Sequence, residues 1–225
     1  MGNYILFDLD GTLSDPYEGI SKSYQYAFSR FGITIDDPDI LKKFIGPPLR
    51  EAFCAYGLDP AEAIPVYRER YGTIGLYENT LYDGIVPLLE RLTAAGHTLA
   101  IASSKAEVYV KRTAEHFGIT KYFAFIGGSE FDGRRSDKAE VIRYVVAALS
   151  AGDFAPGITP GAASGSGDGS AIYMVGDREH DIIGAKKCGV TSVGVLYGYG
   201  SRGELEAAGA DYIAEDIDAL GGYLE

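Results

Sequence analysis

Cysteine is scarce in this sequence, basic charge is in deficit, and no long apolar run occurs. Each shortage removes a class of protein. Cys54 and Cys188 are the two cysteines of the 225 residues. They lie far apart and belong to no CxxC or Cys/His set, so a reduced, cytoplasmic compartment fits better than a disulfide framework. His97, His116 and His180 do not cluster and give no zinc pattern. The count of 20 Lys+Arg against 32 Asp+Glu leaves a formal net charge of −12. Such an excess repels a nucleic-acid backbone or an anionic membrane unless the basic residues form a patch. They are scattered, so no nucleic acid polymer and no membrane is expected as a partner. No apolar stretch reaches about 18 residues, and the opening MGNYILFDLD has no basic region leading into an apolar one. Leu6 stands where a myristoylation signal places Ser or Thr. The reading is a soluble, unanchored protein, monomeric or weakly dimeric.

What is abundant is glycine, 30 residues where about 7% is usual. Part of the excess lies in PGITPGAASGSGDGS, residues 156–170, read as a linker on the amino side of the strands. The rest punctuates an alternation of strands and helices. YILFDLD (4–10), TLAIASS (98–104), YFAFIGG (122–128), AIYMVGD (171–177) and TSVGVLYG (191–198) are apolar throughout and end in polar residues or glycine, as buried parallel strands do. Ser104 with Glu107, and Asp137 with Glu140, fit helix capping boxes. Gly189 follows Lys186 and Lys187 as a helix end does. The pattern predicts a doubly wound, mostly parallel α/β sheet of Rossmann-like kind, with residues 1–15 and 81–225 as core. Residues 16–80 predict an all-helical insertion whose segments SKSYQYAFSRFG, DILKKFIG, PLREAFCAYG and PAEAIPVYRERYG each close on Gly. Its Tyr and Phe stripe reads as its own core. Because the insertion leaves and rejoins the sheet at the end of the first strand, it is expected to sit over that end.

The first strand ends in Asp8, Leu9, Asp10, Gly11 and Thr12. Two carboxylates beside a glycine turn suit a hard, oxygen-ligated cation such as Mg²⁺; a turn with an Asp cap is the competing reading. The strand at 171–177 brings Asp177, and Asp181 follows one helical turn later. Acids gathered at one sheet edge repel, and a divalent cation is the economical remedy. Ser103 ends another strand with a hydroxyl. Lys138 falls in the first turn of a predicted helix, where a cation opposes the macrodipole unless an anion shares the site. Lys105 is placed the same way, and this argument does not separate the two. The set suits phosphoryl transfer to and from an aspartate.

DLDGT at 8–12, SS at 103–104, Lys138 and GDREHD at 176–181 resemble, in order and spacing, the four motifs of the haloacid dehalogenase superfamily of phosphatases. The helical insertion resembles that superfamily's small cap. The resemblance implies Asp8 as nucleophile and Asp10 as general acid and base. Ser103 and Lys138 would hold the phosphate. Asp8, Asp10 (through its carbonyl) and Asp177 would ligate Mg²⁺, with Asp181 in support, and Gly11, Thr12 and Ser104 would line the substrate. DPYEGISKS (15–23), FIGPPLRE (44–51) and VGVLYGYGS (193–201) resemble the phosphoglycolate phosphatase and bacterial 5′-nucleotidase-like branch, in which Gly46 to Arg50 would set specificity. An exposed helix arginine is an equal reading of Arg50. The implied activity is hydrolysis of a small phosphate ester, phosphoglycolate or a nucleoside monophosphate. A phosphosugar mutase of the same fold is disfavoured by Ile20, which stands where such mutases carry a histidine. A non-catalytic phosphate-binding or protein-interaction module is the other alternative, and it would have no use for Asp10. Gly198, Gly200 and Gly203 spell GxGxxG, but GELEAAG after them is too short a helix for a dinucleotide unit, so a glycine loop beside the site is expected. His180 is read as facing solvent and Cys188 as a buried small residue.

Overall fold

The computed structural model describes residues 2–151 and 170–225; the 156–170 tract, apart from Ser170, lies outside them. The chain divides into two compact units, Met1–Leu13 with Leu81–Glu225, and Ser14–Thr80. In chain order the elements are β1 (Tyr4–Phe7), β2 (Ser14–Asp15), α1 (Tyr17–Arg30), α2 (Pro38–Lys42), α3 (Leu49–Ala55), α4 (Pro60–Tyr71), β3 (Thr80–Leu81), α5 (Ile85–Ala94), β4 (Thr98–Ala106), α6 (Glu107–His116), β5 (Phe123–Ser129), α7 (Lys138–Ala151), β6 (Ile172–Gly176), α8 (Glu179–Cys188), β7 (Thr191–Val195), α9 (Arg202–Ala208), β8 (Tyr212–Ala214) and α10 (Ile217–Leu224). Among the described residues, no helix is long and apolar enough to cross a membrane.

The larger unit is built on a six-stranded sheet in the order β5-β4-β1-β6-β7-β8, and its paired strands run parallel. The inner strands β1 and β6 and the first part of β4 are apolar on both sides because both sides are covered. Ile5 and Phe7 of β1 join Leu99, Ile101 and Val175 under α5, α6 and α10. Tyr4 and Leu6 join Ala100, Ala102 and Met174 under α7 and α8. Successive side chains along one strand therefore serve two cores, as the period of two requires. From β1 the chain winds outward to β4 and β5 on one side, and from β6 to β7 and β8 on the other. The β1/β6 boundary is the switch point where ligands bind in such sheets, beyond the carboxyl ends of the strands.

The smaller unit is mostly helical, with the short β2 at its start. Asp37 and Asp59 cap α2 and α4 by accepting the N–H groups of Asp39 and Ala61, with proline in the first turn of each helix. Tyr24, Phe28, Phe44, Phe53 and Tyr67 pack ring against ring with centroids 4.5–6.4 Å apart, so the aromatic stripe is this unit's own core.

Two expectations need correction, and one strand was not expected. The Ser104–Glu107 capping box does not form: β4 continues to Ala106, and α6 starts at Glu107 without a side-chain cap. The Glu107 carboxylate instead faces the Gly128 N–H and the Lys111 ammonium. Lys105 is thus in a strand and not in a helical turn. The cap position of α8 is held by Arg178, and the Asp177 carboxylate accepts the Tyr199 N–H. Finally, β8 at the sheet edge was not foreseen. Asp137 does cap α7, accepting the Ala139 N–H at 2.8 Å, and Gly189 closes α8 in the left-handed conformation, φ 65°.

Candidate active site

Asp8 follows the last residue of β1, and Asp177 follows the last residue of β6, the neighbouring strand. Lys138 opens α7 and Asp181 lies in the first turn of α8. These four side chains meet. The Lys138 ammonium, 3% exposed, lies 3.0 Å from Asp8 Oδ1 and 2.7 Å from Asp181 Oδ1. It also donates to the Ala102 carbonyl at 2.9 Å, so its three N–H bonds are all directed. Asp181 Oδ2 accepts the Arg178 N–H at 3.1 Å. Asp177 Oδ2 accepts the Tyr199 N–H at 2.8 Å, and its Oδ1 faces the Thr12 hydroxyl at 3.5 Å.

The electrostatics follow from burial. Desolvation pushes the Asp177 carboxyl well above the carboxylate range, and the Asp181 charge adds to this. Burial also raises Asp181, to about 6, against the pull of Lys138. Burial alone would lower the Lys138 ammonium, but Asp181 and Asp8 outweigh it and its pKa is raised. Asp10 is raised by burial, with Lys105 opposing.

Carboxylate oxygens of Asp8, Asp177 and Asp181 all lie within 4.8 Å of one another. An all-oxygen anionic set of this kind fits a hard divalent cation. Lys138 and the Arg178 N–H engage both Asp181 oxygens, the Tyr199 N–H engages Asp177 Oδ2, and Lys138 engages Asp8 Oδ1. The residues present therefore fit Mg²⁺.

The model of the haloacid dehalogenase-like hydrolases matches residues 5–195 of this chain. The chain belongs to that family. A 5′-nucleotidase of Pseudomonas aeruginosa is 45% identical over 98% of this haloacid dehalogenase-like hydrolase and 95% of its own length. A protein of Mycobacterium tuberculosis named tyrosine-protein kinase PtkA is 39% identical over 96% of this chain and 70% of its own. A crystal structure described as a predicted phosphatase from Clostridium acetobutylicum superposes with a TM-score of 0.88 at 42% identity, covering 100% of this chain and 98% of the other.

The remaining residues singled out from the sequence of this hydrolase fall as follows. Ser103 is 2% exposed on β4, two residues before Lys105. Asp10 does not join the carboxylate cluster with its side chain, which Lys105 engages instead. Thr12 is fully buried with its hydroxyl toward Asp177. Gly11 has φ +82°, and a side chain there would collide with the Asp177 carboxylate. Gly198 and Gly200 form a loop against Asp177, where a side-chain carbon at either would run into Gly11 or Asp177 backbone. That is the glycine loop the sequence predicts beside the site. The Ser104 carbonyl accepts the Ser129 hydroxyl at 2.7 Å. In the helical unit, Gly46 has φ +102°, Arg50 is exposed on α3 and Ile20 is buried in α1. His180 is exposed and Cys188 buried. The sequence did not assign Tyr199, whose N–H holds Asp177, or pair Lys105 with Asp10. The latter two residues are 95 apart in the chain.

Proposed function

We propose that this phosphatase is a Mg²⁺-dependent phosphomonoesterase that works through an aspartyl-phosphate on a small phosphorylated metabolite. A nucleoside monophosphate is the first candidate and phosphoglycolate the second. The observation that carries the reading is the convergence of the Asp8, Asp177 and Asp181 carboxylates, two of which, Asp8 and Asp181, hold the buried Lys138 ammonium.

Asp8 is the nucleophile: a carboxylate oxygen forms a bond to phosphorus as the bond to the leaving oxygen breaks. Lys138 contacts Asp8 already and is positioned to exchange that contact for a phosphoryl oxygen, while Asp181 keeps the ammonium in place. Ser103 donates its hydroxyl to the phosphate from β4, just before the bulge of that strand. Asp10 gives its proton to the leaving oxygen and then takes one from the water that attacks the aspartyl-phosphate. Its burial favours the protonated form that the first step needs. Asp8, Asp177 and the Asp10 carbonyl would hold Mg²⁺, whose charge offsets the repulsion between a carboxylate nucleophile and an anionic phosphate. Gly46 to Arg50 of the helical unit is the specificity segment, with Arg50 reading a second anionic group.

The identity with the Pseudomonas aeruginosa 5′-nucleotidase supports the nucleotide preference. The test is phosphate release with Mg²⁺ from nucleoside monophosphates, phosphoglycolate, sugar phosphates and phosphotyrosine, comparing the wild type with Asp8→Asn. Turnover that Asp8→Asn abolishes is expected. No turnover of any ester, or undiminished turnover in the variant, refutes the reading. The name carried by the mycobacterial relative motivates one more arm, ATP with a tyrosine peptide; phosphorylation of that peptide would point to kinase activity.

A further inference from the structure

The last part of β4 contains an irregularity that the four motifs do not explain. Ser103 pairs with Gly128, and Ala106 pairs with the next residue of β5, Ser129. Ser104 and Lys105 are therefore extra residues on β4, a bulge of the kind that turns a side chain toward a site. The bulge is pinned from both sides. The Ser129 hydroxyl donates to the Ser104 carbonyl at 2.7 Å. At Gly128 the chains approach so closely that a side-chain carbon would stand 2.6 Å from the Lys105 carbonyl oxygen. What the bulge aims is the Lys105 ammonium, which lies 2.7 Å from each carboxylate oxygen of Asp10. Both side chains are nearly buried, 8% and 13% exposed.

We infer that Lys105 is a positioning residue for the general acid: its two-pronged contact fixes the orientation in which Asp10 presents its carboxyl to the leaving oxygen. The inference rests on the reading of Asp10 as that acid. In the step concerned, the bond from phosphorus to the leaving oxygen breaks and its electron pair stays on that oxygen. The oxygen takes the proton from Asp10, and Asp8 bonds to phosphorus. The carboxylate left on Asp10 is then the anion that Lys105 already faces. Lys138 differs in kind, since it contacts the nucleophile and not the acid.

The leaving group separates the two roles. An alkyl alkoxide needs a proton as it departs, whereas p-nitrophenolate leaves without one. The experiment measures kcat/KM for an alkyl phosphate monoester and for p-nitrophenyl phosphate in the wild type, Lys105→Met, Lys105→Gln and Asp10→Asn, with thermal melts to check folding. Lys105→Met is expected to lose about 10²-fold or more on the alkyl ester and less than about 10-fold on p-nitrophenyl phosphate, since general acid catalysis contributes about 10²–10⁴-fold. Asp10→Asn should show the same selectivity, and adding Lys105→Met to it should cost little more, because the two residues act as a unit. Lys105→Gln, of similar length, carries the comparison if the Met variant does not fold. Equal losses on both esters would assign Lys105 to the phosphate and overturn the inference, as would no loss at all. If Asp10→Asn itself lacks the selectivity, the general-acid reading falls and the inference falls with it. If Asp10→Asn shows it and the Lys105 variants do not, the inference alone is overturned.

Discussion

The Lys138 ammonium lies 2.7 Å from Asp181 Oδ1, and the two side chains are 3% and 1% exposed. A buried pair of this kind contributes little net stability against an apolar substitute, but removing one partner strands the other. Lys138→Met leaves Asp8 and Asp181 facing each other without a counter-charge. It is expected to destabilise the protein by about 3 kcal/mol in the absence of divalent cation and to abolish turnover of every ester, including p-nitrophenyl phosphate. Lys105→Met should spare that last substrate. Denaturant melts and the two-ester assay check both halves; a Lys105→Met lesion deeper than Lys138→Met on p-nitrophenyl phosphate would mean that the phosphate clamp is wrongly assigned.

Metal dependence has a stability readout as well as a kinetic one. Carboxylate oxygens of Asp8, Asp177 and Asp181 sit within 4.8 Å of one another, so a cation that binds only the folded state raises the melting temperature. Mg²⁺ at tenfold its dissociation constant stabilises by about 1.4 kcal/mol, which is roughly 3–6 °C for a chain of this size. Asp177→Asn should remove most of that shift, and EDTA should abolish turnover in the wild type. An undiminished shift in the variant, or full activity in EDTA, would contradict the assigned ligands.

These expectations were legible in the sequence because the apolar runs of β1, β4 and β6 change abruptly to Asp8, Ser103 and Asp177, the first and last just past their strands and Ser103 inside β4. Parallel topology brings such ends to one edge whatever their separation along the chain. The helical insertion announced itself through spacing and closing glycines. Lys105 was misplaced for a local reason. Ser104 followed three residues later by Glu107 looks like a capping box, but pairing of β4 with β5 extends the strand through Ala106, and Gly128 and Lys111 engage the Glu107 carboxylate. A contact between residues 95 apart, such as Lys105 with Asp10, leaves no periodic trace. Nor does β8, whose three residues are only partly buried at Tyr212 and Ile213 and so lack the continuous apolar run of an inner strand.

Gly198 gives a test of Asp177 as the proposed metal ligand. A side-chain carbon there would collide with the Gly11 carbonyl and stand 2.6 Å from Asp177 Oδ2. Overpacking of a filled site costs about 1–3 kcal/mol, and here the displaced group is Asp177. Gly198→Ala is therefore expected to weaken Mg²⁺ activation, raising the concentration needed for half-maximal rate, while Gly222→Ala, where nothing lies within 4 Å, leaves it unchanged. Titrating activity against Mg²⁺ in the two variants decides the matter; identical curves would show that the loop has room to yield.

At the opposite edge of the sheet, His97 makes stability sensitive to pH. Its Nδ1 accepts the Asn3 N–H at 2.9 Å. Asn3 in turn links the starts of two strands, accepting the Thr98 N–H on its carbonyl and the Ala171 N–H on its side chain. Burial lowers the His97 pKa, with Glu225 pulling the other way, so the fold prefers the neutral ring. Above the unfolded value of about 6.5 the ring is neutral in both states and its contribution is complete. As pH falls below that value the unfolded chain takes up the proton first, and stability is lost progressively toward the depressed folded pKa. His97→Gln can still accept the Asn3 N–H but does not titrate. Between pH 7.5 and 5, on the order of the range in which histidine titrates, the wild type should lose more melting temperature than the variant; parallel curves would show that His97 carries no share of the acid sensitivity.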